Sequence, residues 1–206
     1  MLQCNLHFVW PGGEGLPDWA EANLRRFRLL NPGHAVFVWQ GWDGLPKSPY
    51  RDRYAACRTV GQQSDLLRLA ALEHLGGWYF DLDTIALAPV DEMLQEPLGD
   101  RLFTPAFNGS DDLANACLAA RPDAACWPFV REYVEAARDF EDATLFGTLL
   151  LRWLRADHPG TVLAGDPAKF DPGRNVRDLY GRMENLCLVH GFRGGSFQAA
   201  RRAAGR

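Results

Sequence analysis

Within residues 5–83 the chain alternates short apolar runs with amphipathic stretches, and that alternation restricts it to a layered α/β fold. NLHFVW (5–10) is β-branched and aromatic and stops at Pro11-Gly12-Gly13, as a buried strand entering a turn should. From Pro17 to Leu30, Trp19, Ala22, Phe27 and Leu30 recur among charged residues and Asn31-Pro32-Gly33 ends the run, which predicts a helix. AVFVWQ (35–40) predicts a second strand and completes a βαβ unit. After a Gly/Pro-rich loop over 41–50, Thr59 to Leu75 predicts an amphipathic helix that turns Leu66, Leu69, Ala70 and Leu75 to the core and ends at Gly76-Gly77. WYFDLD (78–83) predicts the next strand. RLFTPAF (101–107) and LANACLA (113–119) read as further strands, and Trp127–Arg138 and Thr144–Leu154 as helices. The expected architecture is a single α/β domain with a mostly parallel sheet flanked by helices, a size that 206 residues suits. In such sheets ligands gather at the carboxyl ends of the strands.

Charge and cysteine usage narrow the partners. A net charge of -4 provides no clustered basic surface for nucleic acid. The three arginines of the tail, Arg201, Arg202 and Arg206, read as solvated. Cys4, Cys57, Cys117, Cys126 and Cys187 are scattered, odd in number and free of any C-x-x-C pair, the pattern of reduced thiols. The first ten residues lack the basic flank and long apolar stretch of a signal peptide, and no run has membrane-spanning length. A cytoplasmic location is the expectation.

The chemistry concentrates between residues 64 and 83. Read as a strand, WYFDLD turns Asp81 and Asp83 to one side and Leu82 into the core, so both carboxylates can meet one cation. A D-x-D triplet alone arises by chance about once in a chain this rich in Asp. Its context sharpens it, because two carboxylates at the end of an apolar strand are costly unless a cation or hydrogen-bond donors meet them. Oxygen-only ligation favours magnesium or manganese and leaves coordination sites open for phosphate and water. On the preceding helix, Ser64, Asp65 and Arg68 lie near the N-terminus, with Asp65 and Arg68 on one face. They suit either a grip on hydroxyls and phosphate or a simple i,i+3 ion pair. Trp10 at a strand end is likewise either a ligand platform or a core ring.

SDLLRLAALEHLGGWYFDLD (64–83) resembles the S-D-x-x-R … G-G-x-Y-x-D-x-D signature of the DXD-containing sugar transferases with the retaining, A-type glycosyltransferase fold, and LHFVWPGG (6–13) resembles the opening strand of their clostridial glucosylating toxin branch. The resemblance implies a donor nucleotide sugar, most simply a UDP-sugar, with uracil held by Val9 and Trp10. It implies that Ser64, Asp65 and Arg68 contact the donor, that Asp81 touches ribose and sugar, and that Asp83 binds manganese or magnesium. LCLVHGFRGGSF (186–197) resembles the closing segment of those enzymes, which implies His190 at the metal and Ser196 and Phe197 at the diphosphate. Phe197 stands where the family usually carries Trp, so an indole hydrogen bond to the leaving phosphate is missing. Asn115 resembles a donor-site Asn, and Thr144 with Gly147 a T-G-P helix start without its Pro.

Carried over the whole chain, the likeness implies a nucleotide-sugar core at about 5–120, an acceptor-side and closing segment at about 121–197, and a basic tail at 198–206. The expected activity is metal-dependent hexosyl transfer with retention, with Asp81, Asp83 and Arg68 at the reacting centre. The acceptor is left open among protein, glycan and small molecule. Two rival functions fit the same residues: a nucleotide-sugar-binding module without turnover, and a metal-dependent hydrolase or nucleotidyltransferase.

Overall fold

The computed structural model describes residues 2–11, 15–46, 48–106, 113–138, 140, 142, 145–171 and 188–189. The elements are β1 (Asn5–Val9), α1 (Asp18–Leu30), β2 (Ala35–Trp39), α2 (Pro49–Ala56), α3 (Val60–Leu75), β3 (Gly77–Phe80), β4 (Ile85–Ala86), β5 (Leu102–Pro105), β6 (Cys117–Ala120), α4 (Trp127–Ala136), α5 (Leu150–Asp157), β7 (Val162–Gly165), β8 (Phe170–Asp171) and β9 (Leu188–Val189). A π-helical turn, Leu145–Leu149, leads into α5.

Six strands form one sheet in the order β2-β1-β3-β6-β5-β7. β1 pairs parallel with β2 and β3, and β5 with β7, whereas β6 runs antiparallel to both its neighbours. The mostly parallel α/β architecture expected from the alternation is therefore present. A small second sheet, β4-β9-β8, stands beside it.

Strand alternation divides the core in two. Leu6 and Phe8 of β1 and Trp78 and Phe80 of β3 point toward α1, where the Phe27 ring lies 4.9 Å from Phe8 and 4.8 Å from Phe80. Val9 and Tyr79 point the other way, into the layer built by α3, α4 and α5 with Leu66, Leu69, Val130, Leu150 and Leu154. Burial on both faces is what a parallel sheet requires, and each such side chain contributes about 1.5–3 kcal/mol.

α3 begins with a capping box in which Thr59 accepts from the Gln62 backbone N–H and Gln62 accepts from the Thr59 backbone N–H. Its end is fixed by Gly76 (φ 63°) and Gly77 (φ 108°), left-handed conformations that glycine tolerates. A Cβ on Gly77 would stand 2.4 Å from the Asn5 carbonyl oxygen, so only glycine lets β3 leave the helix directly alongside β1.

The second half departs from the sequence expectation in several places. β3 stops at Phe80 instead of running through Asp83, because the Asp81 carbonyl accepts from the Thr84 N–H and closes a turn. Residues 113–119 are strand only from Cys117, with Leu113 bridged to Ala106. α4 ends at Ala136, and the helix expected from 144 starts as the π-helical turn and continues to Asp157. α2 and β7 were not anticipated; PYRDRYAA buries only Tyr50 and carries no helical apolar stripe.

Candidate functional site

The carboxyl ends of β1 and β3 lie side by side, with Leu6 opposite Trp78 and His7 opposite Tyr79, so the residues that follow both strands open on one edge of the sheet. α3 packs over this edge and brings Ser64, Asp65 and Arg68 to it.

Arg68 is the centre of the cluster. Its Nη2 stands 3.0 Å from Asp65 Oδ1 and 3.3 Å from Asp81 Oδ1, and its Nη1 donates to the Asn115 carbonyl at 2.6 Å. Its Nε and Nη2 also donate to the Ser64 carbonyl and hydroxyl, each at 3.4 Å. The guanidinium carbon lies 4.4 Å from the centre of the Tyr79 ring, a cation–π contact. The Tyr79 hydroxyl in turn donates to Asp81 Oδ1 at 2.5 Å. Asp81 is thus held from two sides, by a planar cation and by a phenol.

Burial opposes the positive charge on Arg68, but Tyr79 and the carboxylates of Asp81, Asp65 and Asp83 outweigh it and hold the guanidinium above its ordinary pKa. One cation shared by several carboxylates cannot neutralise them all. Burial pushes the Asp65 carboxyl up to about 6; Arg68 pulls it down and Asp81 adds to the rise. Because the folded-state pKa is the higher one, this group stabilises the fold fully only below its unfolded value near 3.8, and the contribution is lost as pH rises through about 6. Between pH 4 and pH 7 the wild type should therefore lose stability relative to Asp65→Asn, on the order of 3 kcal/mol. Denaturant unfolding of both proteins across that range measures it. A pH-independent difference would mean that Arg68 neutralises Asp65 completely.

Asn115 lies in the same cluster. Its side-chain amide donates to Asp65 Oδ1 at 3.4 Å. Gly147, in the π-helical turn, packs against both residues: a Cβ there would stand 2.2 Å from Asn115 Nδ2 and 2.9 Å from Asp65 Oδ2. π-helical turns recur at functional sites, and this one is seated by a glycine.

Asp81 and Asp83 follow β3 on the turn, and the intervening Leu82 is buried. They reach the same edge as expected, although through a turn and not through strand alternation. Trp10 is the first residue past β1, half-buried, its ring edge-on to Trp19 at 6.2 Å, its backbone N–H donating to the Trp39 carbonyl. Val9 is buried in the α3-side core. His190, Ser196, Phe197 and Thr144 lie outside the described residues. Among the described residues no three His, Cys, Asp or Glu side chains gather as a metal cage. Sequence reasoning gave no role to Tyr79, although its position two before Asp81 places it on the same face of the chain.

The comparisons with known proteins bear on this cluster directly. Residues 23–99, somewhat over a third of the chain, match the family described as "glycosyltransferase sugar-binding region containing DXD motif". The stretch contains α3, β3, Asp81 and Asp83. Residues 23–99 are thus similar to a glycosyltransferase sugar-binding region. Its surroundings agree: PaToxG glycosyltransferase superposes with a TM-score of 0.64 at 16% identity, over 77% of this chain and 71% of that one. A glycosyltransferase involved in glycosylation of the major capsid of PBCV-1 superposes with a TM-score of 0.54 at 12% identity, over 95% and 99%. The galactosyltransferase LgtC, solved with donor and acceptor sugar analogues, gives 0.52 at 12%, over 97% and 94%. The sheet around the matched region thus has the fold of the A-type glycosyltransferases. No curated protein sequence matches the chain. No helix among the described residues is long and apolar enough to cross a membrane.

Proposed function

We propose that this protein transfers a hexosyl unit from a UDP-sugar to an acceptor hydroxyl, with retention at the anomeric carbon and with manganese or magnesium as cofactor. The observation that carries the reading is the Arg68-centred clamp: inside the matched sugar-binding region, one buried guanidinium holds Asp65 and Asp81 at the carboxyl end of β3.

The donor set fits a hard divalent cation. Asp83 and Asp81 offer carboxylate oxygens on one turn, and such ions keep several positions for water and substrate phosphate instead of demanding a full protein cage. His190 is assigned as a further ligand. In support, β9 pairs with β4, and Val189 lies opposite Ile85, two residues past Asp83. When bound, the cation would neutralise charge on the departing diphosphate, where a metal contributes most to such a transfer. Trp10 offers an aromatic face for uracil beside Val9, and Asp65, Ser64, Arg68 and Asn115 grip the donor sugar. Ser196 and Phe197 are assigned to the diphosphate. Residues of about 5–120 make the donor half and 121–197 the acceptor side.

Retention through a front-face ion pair, without a covalent intermediate, agrees with how the carboxylates are engaged. Asp65 Oδ1 meets Arg68 and Asn115, and Asp81 Oδ1 meets Arg68 and Tyr79, so these oxygens are committed to positioning. A sugar adduct trapped on Asp or Glu would refute this route. Cys4, Cys57, Cys117 and Cys126 are free thiols, which suits action in the cytoplasm.

The deciding experiment is release of nucleoside diphosphate from a panel of UDP- and GDP-sugars with manganese, with and without EDTA. Manganese-dependent release from one UDP-sugar is expected. Nucleoside monophosphate as the product would replace sugar transfer with hydrolysis, and donor-induced thermal stabilisation without turnover would replace it with binding alone.

A further inference from the structure

Gln62 is fully buried and uses both ends of its side chain. Its carbonyl oxygen accepts from the Arg58 and Thr59 backbone N–H groups at 2.9 and 3.3 Å, completing the cap of α3. Its amide nitrogen donates to the Phe140 carbonyl at 2.9 Å and to the Asp142 carbonyl at 3.0 Å. The capping box needs only the first function, and Glu would serve it equally. The two donors are therefore what glutamine adds, and both go to the segment that precedes the π-helical turn.

From there the contacts run continuously to the site. The Asp142 carbonyl also accepts from the N–H of Leu145, the first residue of the turn. The Phe140 ring meets the Phe146 ring edge-on at 5.6 Å. The next residue, Gly147, is the one whose Cα faces Asn115 Nδ2 and Asp65 Oδ2 with no room for a Cβ. Asp65 itself lies one turn of α3 from Gln62.

We propose that Gln62 is a positioning residue: its amide seats the π-helical turn against Asp65 and Asn115 and thereby sets the grip on the donor sugar. The inference rests on the reading of Asp65 and Asn115 as sugar contacts. Gln62 touches neither donor nor acceptor, and its effect passes through Phe140, Asp142, Leu145 and Gly147.

Gln62→Glu separates the two functions of the side chain. A carboxylate keeps the cap but offers no donor to the two carbonyls and repels them, whereas Gln62→Ala loses both. Three readouts are needed: hydrogen exchange of the amides of 145–150, Kd for UDP by calorimetry, and kcat/KM for the donor that the panel identifies. In Gln62→Glu we expect faster exchange over 145–150 and a fall in kcat/KM of about 10- to 100-fold, the scale of a misplacement near 1 Å. UDP affinity should stay within about twofold, because the uracil end is reached from β1. Unchanged exchange in Gln62→Glu overturns the role of Gln62 whether or not any donor is turned over. A parallel loss of UDP affinity would also overturn it, since that is what general loosening produces. Failure of the wild type with every donor sinks the proposed activity instead, and leaves the exchange result to judge the strut.

Discussion

Asp83→Asn is expected to reduce release of nucleoside diphosphate by roughly 10²- to 10³-fold or more while leaving Tm almost unchanged, because the expected loss comes from charge stabilisation of the leaving group. Asn keeps the shape of the side chain and one acceptor oxygen but removes the negative charge that a hard divalent cation requires. The fold should tolerate the change. Asp83 is one of three carboxylates, with Asp65 and Asp81, whose charge acts on Arg68, so the cluster is already over-supplied with negative charge. It lies on the turn after β3, half-buried, and not within a strand ladder. Thermal melts without metal and activity measured across a manganese titration test the claim. Wild-type turnover in the variant would remove Asp83 from the metal site; a large fall in Tm would make it a structural residue of the turn.

How much of this was legible in the sequence depended on how local the determinants are. β1, α1, β2 and α3 follow from apolar periodicity closed by Pro11, Gly33 and Gly76, and each is present within a residue or two. The pair Asp65 and Arg68 was legible because helical spacing of three places them on one face. The strand through Asp83 was misread because a turn also turns Asp81 and Asp83 to one edge, and period-two reasoning cannot tell the two apart. α2 was invisible for a different reason: its helix is fixed by contacts with α3 and α4, including the Tyr50 hydroxyl on Glu73, and not by any stripe of its own. The role of Gln62 depends on Phe140, 78 positions distant, and that of Tyr79 on Arg68 from the preceding helix, and such contacts between elements leave no local pattern.

Arg68→Met should be the most destabilising single change in the site, by about 3–5 kcal/mol, because it strips the counter-charge from buried carboxylates without removing them. Methionine fills much of the arginine stem, so the loss reports charge and hydrogen bonding more than volume. Asp65, 6% exposed at its side chain, would face Asp81 with no cation between them, and the Asn115 carbonyl would lose its 2.6 Å donor. The cation–π contact with Tyr79 disappears as well. Lysine should not restore the site, since one ammonium cannot donate simultaneously in the directions of Asp65, Asp81 and the Asn115 carbonyl. The sign of the pH dependence distinguishes this mechanism from simple mispacking. Without the guanidinium the carboxylates become easier to protonate, so the defect should be largest near pH 8 and shrink as pH falls toward 4.5. Adding Asp65→Asn to the variant should recover part of the loss at pH 8, a coupling that a double-mutant cycle reads directly. Denaturant unfolding of the four proteins at both pH values decides it: a loss below about 1 kcal/mol, or one that is the same at both pH values and unrelieved by the second substitution, would show that other groups balance the carboxylates and that Arg68 is not the keystone of the cluster.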